Sequence, residues 1–261
     1  MKLVFSRPSI NYVNLKSGVG IIAGGPYYCA MGNLALAEAD CIHAFSKINV
    51  DRLVSLTQDF ADKGWIDDPS HLSSHKAYIF SGALDTVVNQ DVVLASEQYL
   101  GRYLSSNNIV ADYNLQAEHC MPTLTYGEAC EVLSSPYIGD CSFDGAGKIF
   151  ETLYGDMTAP PSPTSFSSSS LYSFSQTPLI PYLPSLSSLA EEGFIYIPSS
   201  CLEDRECTLH VALHGCNQVL LINFSLVLIN LISFSLFFDS EPVCWGGWRC
   251  MGHEWRVQRL G

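Results

Sequence analysis

Short apolar runs alternate with amphipathic stretches through the first half of this chain, and the runs end near glycine, an acid or histidine. Such a strand, helix, strand, helix rhythm leaves few folds open. Parallel strands need crossover connections, so the class is α/β with a parallel sheet. Residues 18–30, GVGIIAGGPYYCA, read as a short buried strand entering a Gly-Gly-Pro turn. Residues 31–64 carry helical periodicity in two pieces broken near Asn49. The second piece, from Asp51, has an acid as N-cap and spaced Leu53, Val54, Leu56 and Phe60. KAYIFS at 76–81 is a strand that ends in the turn Gly82-Ala83-Leu84-Asp85, residues 90–104 form an amphipathic helix, and 109–117 form another strand before Glu118-His119-Cys120. Two further strands are expected at 193–197, GFIYI, and 208–213, TLHVAL, the latter ending in His214-Gly215-Cys216.

Two stretches differ in texture. Residues 157–190 are rich in Ser and Pro and have no Asp, Glu, Lys or Arg, as a flexible linker does, although Leu179, Ile180, Tyr182, Leu183 and Leu186 give part of it something to pack with. From Val219 to Phe238 the chain is nearly all Leu, Ile, Val and Phe with interspersed Asn and Ser, and it has the length of a membrane span. These residue types are also what T-rich non-coding sequence yields on translation. The favoured expectation is therefore an unspliced intron followed by a shifted frame, with a membrane helix as the alternative. The chain divides accordingly into residues 1–218 and an aberrant tail, 219–261.

Composition narrows the function. Acids outnumber bases 26 to 13, giving a net charge of −13, which disfavours nucleic acid and anionic membrane surfaces as partners. The ten cysteines show no C-x-x-C, and no H-E-x-x-H accompanies them, so metal spacing is absent. Cys29/Cys41, Cys130/Cys141 and Cys201/Cys207 lie close in sequence within loop-like stretches. Disulfides fit them better than buried thiols, and spacing leaves the connectivity open. An oxidising compartment calls for a signal peptide. Met-Lys-Leu-Val-Phe-Ser-Arg-Pro is too short and is broken by proline too early. Either the protein is not exported or its true N-terminus lies upstream.

Three features could carry chemistry. Asp85 follows an apolar strand, where functional groups of open α/β sheets collect, and an acid there can orient a histidine; the alternative is a turn cap. His119 follows the next strand on a loop that suits a catalytic base, with a satisfied loop or core histidine as the alternative. His214-Gly215-Cys216 resembles the oxyanion loop of α/β-hydrolases, where glycine admits the substrate and amide N–H groups meet the developing alkoxide; a plain strand-ending turn is the alternative. A nucleophile is expected in G-x-S-x-G on a strand-to-helix turn, and that pattern is absent. Ser17-Gly18 and Ser81-Gly82 are the nearest fragments, and neither has a glycine two residues before its serine. His43, His71, His75, His210 and His253 have no partnered acid at useful spacing and read as surface or core.

Six ordered blocks, GVGIIAGGPYYCA, YIFSGALDTVV, AEHCMPTLTYGEAC, SSPYIGDCSFDGAG, GFIYIPSSC and CTLHVALHGCNQ, resemble signature blocks of the extracellular poly(3-hydroxybutyrate) depolymerases over roughly residues 18–218. The resemblance implies a circularly permuted α/β-hydrolase fold, here incomplete, secreted in the intact family member and using neither cofactor nor metal. It implies Asp85 as the triad acid, His119 as the base and the backbone amide of Cys216 as an oxyanion donor. The substrate implied is poly(3-hydroxybutyrate) or related hydroxyalkanoate esters, cleaved by acyl transfer through a serine. The family serine lies one helix upstream of the GGPYYCA block, whereas MKLVFSRPSINYVNLKS does not resemble that strand, turn and helix. The expectation is thus a chain inactive as written, truncated at its N-terminus. Trp245, Trp248 and Trp255 lie in the tail and receive no role. The competing readings are a non-catalytic protein that still grips polyester, and a membrane-anchored relic of the fold.

Overall fold

Glycine alternation on the first strand decides how the sheet is covered. The computed structural model describes residues 18–155, 170–179, 191–198, 201, 207–213, 215 and 233–238. Strand β1 (Gly18–Ile22) turns Val19 and Ile21 into the core. On its other face Gly18 and Gly20 are bare, because a Cβ would come within 2.4 Å of Leu153 Cδ2 and 2.7 Å of Ile149 Cγ2. Helix α4 (Gly145–Tyr154), capped by Asp144, supplies both of those side chains. The missing side chains on the strand are thus the seat of the helix.

Strands β2 (Lys76–Phe80) and β3 (Ile109–Asp112) complete a three-stranded sheet of order β1-β2-β3, parallel throughout as the sequence rhythm requires. The middle strand is buried on both faces, which its unbroken apolar run anticipates. Ala77 and Ile79 meet Leu53, Val93, Tyr99 and Leu100 from helices α2 (Val50–Asp62) and α3 (Gln90–Leu100). Tyr78 and Phe80 face the opposite side, against Ala117, Cys120 and Ile149. A short helix, α1 (Leu34–Ala39), precedes α2.

Several boundaries differ from the sequence reading. Helix α2 begins earlier, because the Asn49 side chain accepts the Arg52 N–H and acts as the cap in place of Asp51. Asp51 sits in the first turn, favourable to the helix dipole, and pairs with Arg102 at 2.7 Å. Helix α3 stops at Leu100, and residues 101–104 continue as turns. Strand β3 ends at Asp112, because the chain beyond it pairs with the loop after β2 instead.

Two smaller sheets follow. Strands β4 (Met121–Thr123), β5 (Glu128–Ala129) and β6 (Ile138–Asp140) form a parallel set of order β4-β6-β5. Strands β7 (Leu171–Ser175), β8 (Glu192–Tyr196), β9 (Thr208–Leu213) and β10 (Ser233–Phe238) form a mixed sheet of order β7-β8-β10-β9. Strand β7 corrects the linker reading for part of 157–190, since antiparallel pairing with β8 makes Leu171–Ser175 a strand. Leu179 ends a 3-10 turn, and Ile180, Tyr182, Leu183 and Leu186 lie outside the described residues. Strand β10 corrects the membrane-helix alternative at its C-terminal end. Ser233–Phe238 is extended and pairs with β8 on one side and β9 on the other. Residues 219–232 lie outside the described residues. Among those described, no helix is long and apolar enough to cross a membrane.

The three cysteine pairs grouped by proximity are disulfides, Cys29–Cys41, Cys130–Cys141 and Cys201–Cys207. His210 on β9 is partly buried: its Nδ1 lies 2.9 Å from the Tyr154 hydroxyl and its ring lies edge-on to Phe150 at 4.6 Å. Burial pushes its pKa down from 6.5 to about 4. The unfolded chain therefore binds a proton at His210 that the folded chain refuses, so stability rises with pH across this window. Acidification from about 6.5 to about 4 is expected to lower the melting temperature, and His210→Gln to lessen that fall; equal pH dependence in both proteins would contradict the assignment.

Candidate active site

The loops that leave β2 and β3 stay laced together beyond the strand ends. Ser81 N–H donates to Asp112 O at 3.1 Å, Ala83 N–H to Leu115 O at 2.8 Å, and Leu84 N–H to Ala117 O at 3.0 Å. Gly82 permits this closeness, because a Cβ there would stand 2.1 Å from the Ala117 carbonyl oxygen. Asp85 closes the first loop, and His119 lies on the second.

Asp85 caps its own turn and also faces a histidine. One carboxylate oxygen, Oδ1, accepts the backbone N–H groups of Val87 (2.9 Å) and Val88 (2.8 Å), as a turn cap does. The other, Oδ2, lies 2.9 Å from His119 Nδ1. The acid side chain is 1 % exposed and the imidazole 27 %. With Nδ1 donating to the carboxylate, Nε2 carries the lone pair. An imidazole so held can take a proton at Nε2 while the carboxylate stabilises the cation that forms. Tyr137, on the turn before β6, lies edge-on to the His119 ring at a centroid distance of 6.0 Å.

Sequence reasoning missed Glu118 and Thr86. Glu118 is 7 % exposed, and its carboxylate accepts the Thr86 hydroxyl (2.5 Å), the Thr86 N–H (3.2 Å) and the His119 N–H (2.6 Å). The available signal was a charged residue directly beside a candidate base, after a strand. Its partner is 32 positions away, so spacing could not name it.

Cys120 is a buried free thiol whose sulfur lies 4.0 Å from Cys141 Sγ. Burial first, then the Asp85 and Glu118 carboxylates, push its pKa up to about 11. Cys216 and His214 lie outside the described residues; Gly215, between them, is described and follows the end of β9. His43, His71, His75 and His210 are not brought to the pair, and His253 lies outside the described residues. Ser81 is wholly buried at the end of β2, and its Oγ has no hydrogen-bond partner among the described residues. Among those residues no cluster of His, Cys, Asp and Glu is placed to hold a metal ion. An open depression beside the Cys130–Cys141 disulfide, lined in part by Asn114, Gln116, Gly127 and Glu131, includes neither Asp85 nor His119.

Comparison with known proteins gives consistent relatives. The chain is 37 % identical over 203 residues to a poly(3-hydroxybutyrate) depolymerase of Delftia acidovorans, covering 77 % of this chain and 40 % of that protein. It is 32 % identical over 210 residues to a polyhydroxybutyrate depolymerase of Talaromyces funiculosus, covering 77 % of this chain and 57 % of that one. The chain thus spans between two-fifths and three-fifths of the curated relatives it matches. Its fold resembles the crystal structure of PHB depolymerase from Penicillium funiculosum, with a TM-score of 0.73 and 26 % identity over 87 % of this chain and 72 % of that one. A PHB depolymerase complexed with R3HB trimer gives a TM-score of 0.75 at 27 % identity, with the same coverage. The fold is therefore α/β-hydrolase-like. No protein-family profile matches the chain.

The Cys120 thiol gives a direct check of the site's packing. At neutral pH a buried thiol with a pKa near 11 has almost no thiolate to react. Iodoacetamide should leave the Cys120 peptide unmodified in the folded chain and modify it after denaturation, as read by peptide mass mapping. Rapid labelling of the folded chain would contradict the packing described.

Proposed function

We propose, on the premise that the chain belongs to the poly(3-hydroxybutyrate) depolymerase family over the stretch it shares with those relatives, that it is the acid–base part of a serine-type ester hydrolase acting on 3-hydroxybutyrate esters. The observation that carries this reading is the 2.9 Å contact between buried Asp85 and part-exposed His119, at the carboxyl ends of adjacent parallel strands.

In the reaction, His119 Nε2 removes the proton of a serine hydroxyl as that oxygen attacks the ester carbonyl. Asp85 holds the imidazole in the tautomer that leaves Nε2 free and stabilises the imidazolium. His119 then protonates the departing alcohol, and water, deprotonated by the same nitrogen, releases the acid. The backbone amide of Cys216 is assigned to the oxyanion, a role worth roughly 10²–10³-fold in rate for one donor.

The resemblance assigns the serine to a strand, turn and helix that come before the block matched by residues 18–30, and the 261 residues contain no G-x-S-x-G. The order of elements supports a circular permutation, because β9 and the His214-Gly215 pair of the sequence follow the acid and the base in the chain instead of preceding them. A polyester substrate is supported by the relatives' names and by exposed Leu84 on the acid loop. Three disulfides support an exported protein. The region carrying the activity is 1–218, with β10 as the one described segment beyond it.

Hydrolysis of (R)-3-hydroxybutyrate trimer tests the reading. The 261-residue chain alone should show only background turnover. Joined through Gly18 to a strand, turn and helix bearing G-x-S-x-G, it should hydrolyse the trimer and lose at least roughly a thousandfold on His119→Ala. A folded, joined protein that hydrolyses equally well with His119→Ala would overturn the proposal.

A further inference from the structure

We infer that Glu118 is a positioning residue for the Asp85–His119 pair, its carboxylate tying the loop that carries the acid to the loop that carries the base. The inference rests on the reading of Asp85 and His119 given above and adds to it the group that sets their register.

Burying a carboxylate in a loop is costly unless donors replace its water. Glu118 has three donors, and their identity gives the burial a purpose. Two come from Thr86, the residue after Asp85, and the third is the backbone N–H of His119. The two loops are therefore joined by two adjacent rungs. Asp85 meets His119 through side chains, and Thr86 meets Glu118 one residue along. The backbone lacing of the loops ends at the bond from Leu84 N–H to Ala117 O, and beyond it a single side-chain contact would leave the loop tips free to pivot about it. A second bond one residue away removes that pivot, so Oδ2 of Asp85 stays aimed at Nδ1. The rung is itself anchored, since Glu118 N–H donates to Cys130 O at 2.8 Å and Cys130 is disulfide-bonded to Cys141 beyond β6. No part of Glu118 is needed for proton transfer. It acts through the geometry of its neighbours.

The role requires acceptor oxygens in place and not a negative charge. A glutamine can present one oxygen to the two backbone N–H groups while its amide donates to the Thr86 hydroxyl, which then turns to accept. The effects of loss and of conservative replacement therefore separate.

The test reads the Nδ1 proton of His119 by proton NMR on the full 261-residue chain, where it resonates far downfield and is identified by its loss in Asp85→Asn. Exchange of this proton with water should quicken roughly tenfold in Glu118→Ala and in Thr86→Val. Glu118→Gln and Thr86→Ser should stay within about threefold of the parent. Unchanged exchange in a folded Glu118→Ala, or a Glu118→Gln as fast as Glu118→Ala, overturns the inference. Should Glu118→Ala not fold, equal exchange in Thr86→Val and Thr86→Ser overturns it. A parent chain with no such proton contradicts the pairing of Asp85 with His119, and the inference falls with it. None of these readouts needs the nucleophile, so they stand apart from the hydrolysis assay.

Discussion

The Asp85 carboxylate is asked to do two things in a place where water cannot help it. It is almost fully buried, and a buried carboxylate without donors would be expelled or protonated. Its two oxygens divide the work. Oδ1 closes the turn onto Val87 and Val88, which fixes where the carboxylate is, and Oδ2 faces His119, which fixes where the imidazole is. Removing the carboxylate would free the turn and the ring together. Stability and chemistry therefore meet at one side chain.

Much of the surrounding structure serves to bring two strand ends to the same place. Bare Gly18 and Gly20 let α4 settle on one face of the sheet, while Leu53, Val93 and Tyr99 cover the other. With both faces covered, β2 and β3 end side by side in fixed register, Phe80 opposite Asp112. Gly82 then lets the acid loop lie against the Ala117 carbonyl, so the lacing of the strands runs on into the functional loops. The rigid part of the sheet thus reaches the chemistry with no slack segment between. A site built in this way depends on backbone register more than on the side chains that line it.

The strands were legible in the sequence for a physical reason, while Asp85 and His119 stood out as a pair through the ordered blocks that carry them. An apolar run such as KAYIF suits a strand covered on both faces, and the acid and the histidine come close because β2 and β3 are parallel neighbours in the sheet. What was not legible depended on competition between neighbours. Asn49 outcompeted Asp51 as the cap because its amide oxygen reaches the Arg52 N–H from just outside the helix. Strand β7 lies in a Ser- and Pro-rich stretch that masks its Leu, Tyr and Phe, and pairing with β8 sets it as a strand. Ser233–Phe238 lies in the uncharged stretch 219–238, whose composition does not mark it off as a strand, and pairing with β8 and β9 makes it one. Glu118 stood beside a candidate base in the sequence, but its link to Thr86 could not be read from spacing.

The central claim is that Asp85 fixes His119 as a base with its lone pair on Nε2. The ¹⁵N chemical shifts of the neutral His119 ring measure this directly. The account predicts the tautomer protonated at Nδ1, with an unprotonated Nε2, and a switch away from that tautomer in Asp85→Asn. A neutral ring protonated at Nε2 in the unaltered chain, with Nδ1 as the acceptor, would contradict it.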